Sequence, residues 1–209
     1  MIAKMKKDRN KGFSLVEVLI VIVIIGILAV IVLVSYNNVT VAARNSQTTA
    51  AVTQYMRAIK LYALNNRAYP SPITACLGDG YGDYDGDGSA GDCWHLSSPA
   101  KESTTFENNL RPYLQNFPMP STRVLNVGPF NHVGAIFQYS TNTTIDGVMH
   151  RWFIAYTMEG NGTKCPIGPV LTLGTWPAFT STTPSSGYSS SWGTVATECW
   201  IALPEPTDL

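Results

Sequence analysis

The feature that most constrains this chain is an uninterrupted apolar run close to its start. From Val18 to Val34 there is no charged residue, no proline and a single glycine, Gly26. Counted from Phe13 the segment is 22 residues long. As a helix that length spans about 33 Å, against about 30 Å for the hydrocarbon core of a bilayer. Valine and isoleucine dominate the segment and are weak helix formers in water. In lipid, however, every backbone polar group must be satisfied within the segment itself, which leaves the helix as the only single-segment solution. Ahead of the run stand Lys4, Lys6, Lys7, Arg9 and Lys11, opposed by Asp8 alone. Basic residues of this kind are retained on the cytoplasmic side, so the chain beyond Val34 is expected outside. A membrane anchor accounts for these two features. A cleaved secretory signal fits worse, because the run exceeds the usual apolar core of about 7–15 residues and no A-x-A-like site follows it.

Neither reading explains Glu17, which stands directly before the charge-free run. A charged side chain at the centre of a membrane helix costs about 2.5–3.5 kcal/mol, less near an end, and by default marks function with a partner to be named. Lys11-Gly12-Phe13-Ser14-Leu15-Val16-Glu17-Val18-Leu19 resembles the processing site of the type IV pilins and pseudopilins, with its class III signal peptide and N-terminal methylation motif. The resemblance covers the leader and the first helix, about a quarter of the chain. It implies cleavage by a prepilin peptidase between Gly12 and Phe13 and N-methylation of Phe13. It also implies that Glu17 pairs with the terminal amine of a neighbouring subunit during filament assembly. A glycine before the scissile bond lets a peptidase approach the backbone closely, and two charges that are each costly in a low-dielectric setting become tolerable as a pair. Members of the family often carry a proline late in the apolar helix. Here none occurs between Phe13 and Tyr69, and Gly26 is the only weak point.

Beyond Val34 the helical pattern continues without proline or glycine to Asn66. Ala50, Ala51, Val52, Tyr55, Met56, Ile59, Tyr62 and Ala63 form an amphipathic stripe, and Asn65-Asn66 followed by Tyr69-Pro70 ends it. The expected organisation is a leader at 1–12, an apolar transmembrane and assembly segment at 13–34, an amphipathic half of the same helix at 35–68, and a globular head at 69–209. The expected fold class is α+β, with the amphipathic half packed on an antiparallel sheet.

The head contains Cys76, Cys93, Cys165 and Cys199, all on the side of the membrane where disulfides persist. There is no Cys-x-x-Cys, which speaks against zinc or thioredoxin chemistry, and four cysteines allow three pairings. Cys76–Cys93 and Cys165–Cys199 close local loops and are the expected pair. Between the first two lie Asp79, Asp83, Asp85, Asp87 and Asp92, with five glycines in the stretch from Asp79 to Asp92. Asp83-x-Asp85-x-Asp87-Gly88 resembles the first half of an EF-hand loop, with glycine at the sixth position. Trp94 stands where the twelfth-position glutamate belongs. Asp92 or Asp79 is then expected to complete a Ca²⁺ site. The plain alternative is a solvated acidic turn closed by a disulfide.

Val133–Ser140 and Val148–Thr157 read as a hairpin around Asp146-Gly147. Ile167–Leu173 and Thr194–Ala202 read as further strands, and Thr180–Ser191 as a surface loop. His95, His132 and His150 are scattered without zinc spacing, and no nucleophile elbow, P-loop or dinucleotide fingerprint occurs. No catalytic residue and no obligatory cofactor is expected. The formal net charge is zero over 14 basic and 14 acidic residues, which disfavours a nucleic-acid binder. Removal of residues 1–12 takes away five basic side chains and one acidic one, leaving 9 against 13 and a net charge of −4. The resemblance implies a structural filament subunit. Its partners would be further copies of itself, the peptidase, the inner-membrane assembly machinery and, before assembly, membrane lipid. It would sit in the cytoplasmic membrane with its head outside and then in an extracellular pilus. A pseudopilin of a type II secretion or DNA-uptake system is the alternative within the family. A membrane-anchored extracellular binding module is the alternative outside it.

Overall fold

The computed structural model describes residues 14–95, 99–127, 130–145, 148–160, 163–167, 170–173, 178–182 and 196–209. Gly12 and Phe13 lie outside them. So does the Asp146-Gly147 turn, as does all but the start of the Thr180–Ser191 segment. The chain divides into two compact units, residues 1–40 and 41–209.

Helix α1, Leu15–Asn66, is 52 residues long and runs unbroken past Gly26. In its first unit the side chains described between Leu15 and Val32 are all exposed. This part is long and apolar enough to cross a membrane. In the second unit the same helix buries Ala51, Val52, Tyr55, Ala58, Ile59 and Ala63. The amphipathic stripe is thus realised with one exchange: Ala50 faces solvent and Ala58 takes the inward place. The helix ends where Arg67 enters the left-handed region at φ 53°, its amide bonded to the Ala63 carbonyl at 2.8 Å.

Among the described residues ten strands follow, with one short helix. They are β1 (Thr74–Cys76), β2 (Asp92–His95), β3 (Ala100–Lys101), helix α2 (Thr104–Leu110), β4 (Leu125–Val127), β5 (Phe130–Val133), β6 (Ala135–Ile145), β7 (Val148–Glu159), β8 (Val170–Leu173), β9 (Ala178–Thr182) and β10 (Ala196–Leu203). The main sheet has the order β1-β6-β7-β10-β8-β9, and β9 returns to pair with β6. A smaller sheet has the order β3-β2-β5-β4. The β6–β7 hairpin forms with Phe137 opposite Ile154. Thr180–Thr182, read from composition as loop, belong to β9, where they pair with Val170–Thr172 of β8. Serine and threonine richness marks exposed backbone but does not forbid a strand, and threonine is a good strand former.

The central strands are buried on both faces, which explains why Trp-Phe-Ile-Ala-Tyr on β7 is apolar without alternation. Ile154, Tyr156 and Met158 join Phe137 of β6, Ile201 of β10 and the inward face of α1 in one core. Their strand neighbours Phe153 and Ala155 face the other way, onto Ile136, Trp94, Val133 and Trp200. The period of two splits each strand between two hydrophobic clusters. One disulfide sits in each cluster: Cys165–Cys199 in the first and Cys76–Cys93 in the second. Gly134, between β5 and β6, has φ +70°, and a Cβ there would lie 2.2 Å from the Tyr81 hydroxyl. Only glycine allows that strand junction to close over Tyr81.

Candidate functional site

Two places carry the residues singled out from the sequence. The first is the start of α1. Ser14 and Glu17 hold each other reciprocally: the Ser14 amide donates to Glu17 Oε2 at 2.7 Å and the Glu17 amide donates to Ser14 Oγ at 3.2 Å. This is a capping box, which satisfies two of the amides that every helix N-terminus leaves over. Its sequence signature, serine followed three residues later by glutamate, lies inside the longer motif that runs from Lys11 to Leu19. The carboxylate is thereby held at the first turn, where the positive end of the helix dipole favours it. Exposed Leu15 and Val16 precede it, and the charge-free apolar surface runs on from Val18.

The second place is the loop between β1 and β2. The carboxylate oxygens of Asp83, Asp85 and Asp92 come within 4.8 Å of one another. Asp79 stands apart from them, and its charge bears instead on Glu107 of α2. The loop is folded back on its own acids. Asp83 accepts from the amides of Gly86 at 2.7 Å and Gly88 at 2.8 Å, and both glycines have positive φ. Asp85 accepts from Asp87 N at 3.0 Å, and Asp87 from Ser89 N at 2.7 Å. Asp92, whose side chain is 0% exposed, accepts from the amides of Tyr84 at 2.9 Å and Asp85 at 3.1 Å. At the rear, Glu102 takes the amides of Gly80 and Tyr81.

Lys101 was not singled out from the sequence, and nothing in its local sequence marks it. The β2–β3 pairing sets it directly opposite Asp92. Its ammonium contacts Asp92 Oδ1, lies 3.2 Å from Asp87 and 3.8 Å from Asp85. Burial pushes the Asp92 carboxyl up, but Lys101 and the two amides outweigh it and hold the group below the ordinary carboxylate range. The Ser89 amide and Lys101 depress Asp87 in the same direction. Asp92 raises Lys101 well above its ordinary value. The oxygen-rich donor set suits a hard cation such as Ca²⁺, but as folded an ammonium stands among three of the four carboxylates.

Of the three histidines, His132 is buried and stacks on Trp94 at 4.8 Å between ring centroids, and His95 lies 5.3 Å from it. Burial lowers the His132 pKa to about 4, with His95 adding in the same direction. It is a packed, neutral ring.

Residues 7–33 match the family described as the prokaryotic N-terminal methylation motif, which is consistent with a type IV pilin or pseudopilin. Over 66 residues it is 38% identical to the fimbrial protein of Neisseria meningitidis serogroup A / serotype 4A, covering 32% of this chain and 39% of that protein. Over 67 residues it is 36% identical to the type II secretion system core protein G of Aeromonas hydrophila, covering 32% of this chain and 47% of that protein. The chain thus spans less than half the length of either relative. No solved structure matches it.

Proposed function

We propose that this chain is a structural subunit of a type IV pilus. In this reading prepilin peptidase cuts between Gly12 and Phe13, Phe13 is N-methylated, and the product polymerises through its N-terminal helix. The observation that carries the reading is the exposed apolar first half of α1, headed by a capped carboxylate at Glu17. An anchor needs the apolar surface but not the acid. A filament core uses both, since the apolar surface packs against other copies and the acid meets a neighbouring subunit's terminal amine. Before assembly the capping box with Ser14 keeps the carboxylate hydrogen-bonded at the membrane edge. The head, stapled by two disulfides, then forms the outer surface of the fibre outside the cell.

Shear of surface material followed by electron microscopy and N-terminal mass spectrometry tests the reading. Long fibres whose subunit begins at N-methylated Phe13 are expected, and Glu17→Leu should abolish them while leaving the processed subunit in the membrane. An intact Met1 terminus without fibres would instead mark a membrane-anchored binding module. The comparable similarity to a type II secretion core protein supports a second reading, a pseudopilin. In that case processing and methylation persist but only short, envelope-confined assemblies form.

A further inference from the structure

We infer that Lys101 is the resident cation of the aspartate loop, an internal ammonium occupying the place that a divalent ion would take. The inference rests on the ion pairs that meet the loop's carboxylates and on the β2–β3 register that supplies them, and is independent of the filament reading. Four carboxylates, Asp83, Asp85, Asp87 and Asp92, present eight oxygens, met either by loop amides through hydrogen bonds or by the Lys101 ammonium through ion pairs. Asp83 takes two glycine amides. Asp85 and Asp87 each take one loop amide and turn the other oxygen to Lys101. Asp92 takes two amides on Oδ2 and Lys101 on Oδ1. An ammonium offers three donors, and three carboxylates surround this one.

The placement is built rather than incidental. Lys101 sits across from Asp92 in the β2–β3 ladder, and Cys93, the next residue, is tied to Cys76. The ammonium is therefore delivered by backbone register to a point fixed by a disulfide. Asp92 is fully buried, and a buried carboxylate needs a charge partner if it is to stay ionised. Lys101 itself is 42% exposed along its side chain, so its head group reaches the site from the solvent side. Ca²⁺ would have to displace it to gather Asp85 and Asp92 around one point. The loop consequently holds its shape without metal, and its order depends on the lysine.

Thermal unfolding of the full-length chain in detergent, in EDTA and in 5 mM Ca²⁺, tests this. The wild-type midpoint should be the same in both. Lys101→Gln in EDTA should melt about 6–15 °C lower, since it leaves Asp92 buried without its counter-charge, and Ca²⁺ should recover much of that loss. Lys101→Arg should stay near wild type and insensitive to Ca²⁺. Should Lys101→Gln fail to accumulate, adding Asp92→Asn, which removes the stranded charge, should restore it. A wild-type midpoint that rises in Ca²⁺ or falls in EDTA would overturn the inference. So would a Lys101→Gln chain as stable as wild type in EDTA, or a double variant that is not restored.

Discussion

Val23 and Val52 lie on one continuous helix; the first is 51% exposed and the second is sealed from solvent. Their backbones do the same thing, and their surroundings are opposite. In the unit comprising residues 1–40 the helix presents apolar side chains on every face. In the unit comprising residues 41–209 it presents a stripe, and the stripe is covered by α2, β1, β6, β7 and β10 of the same chain. The lesson is that helix formation and helix burial are separate decisions. The second half takes its stability from the head; under the proposed function the first half takes its own from lipid or from other copies. Whatever attacks the head should therefore spare the first half.

The harshest way to break that contrast is reduction. By the chain-entropy argument, opening Cys76–Cys93, separated by 17 residues, and Cys165–Cys199, separated by 34, removes about 3 and 4 kcal/mol. Together these approach the whole stability of an ordinary domain, about 5–15 kcal/mol. With dithiothreitol in detergent, circular dichroism should show loss of the sheet and of the helical signal from the second half, with the first half's helix kept. Complete loss of helical signal would show that the first half also leans on the head. A gentler version compares one substitution at two places. Ile59→Ala in the core should lower head stability by about 2–5 kcal/mol. Ile24→Ala, at a side chain 51% exposed, should leave the head's unfolding midpoint unchanged.

Much of this contrast was legible before the fold was known. A charge-free run and a stripe with helical spacing leave few alternatives, because both signals are local and repeated. The hairpin was legible for the same reason. Less so were β1, β2, β3, β4 and β5, which run from two to four residues and take their existence from pairing rather than pattern. The candidate site divides along the same line. Asp83, Asp85 and Asp87 announce themselves by spacing. Lys101 becomes a member only through the β2–β3 register. Cys165 and Cys199 are brought together by a whole sheet, and proximity in sequence happened to indicate the right pairing.

A third contrast is titratable. No ionisable side chain lies between Val18 and Val34, so the proton dependence of stability belongs to the head. Burial raises the Glu198 pKa to about 7, against the opposing hydrogen bond from the Trp200 indole. Burial lowers His132 to about 4. The signs oppose. Between its ordinary value of 6.5 and 4, His132 binds more protons unfolded than folded, so its contribution is intact above 6.5 and lost as pH falls. Between its ordinary 4.5 and 7, Glu198 binds more protons folded than unfolded, so its contribution is intact below 4.5 and lost as pH rises. Glu107, raised by burial and then by Asp79 and Glu102, acts in the same sense as Glu198. From pH 4.5 to 6.5 the two main slopes nearly cancel, and wild-type urea midpoints should be almost flat. Glu198→Gln should expose the histidine slope, with stability rising by up to about 1.4 kcal/mol per pH unit. His132→Phe should give a falling slope. Parallel profiles in all three proteins would sink this assignment.

The smallest effect is expected where the helix first engages the head. Asn45 pairs with the backbone of Glu159 as another strand would: its side-chain amide donates to the Glu159 carbonyl at 2.9 Å, and its oxygen accepts the Glu159 amide at 2.7 Å. Beside it Arg44 makes a two-point contact with the Glu159 carboxylate at 2.7 and 3.1 Å, and Arg123 reaches the same carboxylate at 3.1 Å. Removing Arg44 still leaves Arg123 on the glutamate. The pair is partly solvated, so Arg44→Ala should lower head stability by about 1 kcal/mol or less. Asn45→Ala leaves both polar groups of a half-buried peptide without that partner and should cost more, about 1–2 kcal/mol. That order, measured by urea unfolding at low and high salt, separates the two ways the helix is held. The Asn45 effect should be indifferent to salt and the Arg44 effect should shrink with it. A larger, salt-sensitive loss at Arg44 would mean that charge, rather than a borrowed strand edge, fixes where the covered half of the helix begins.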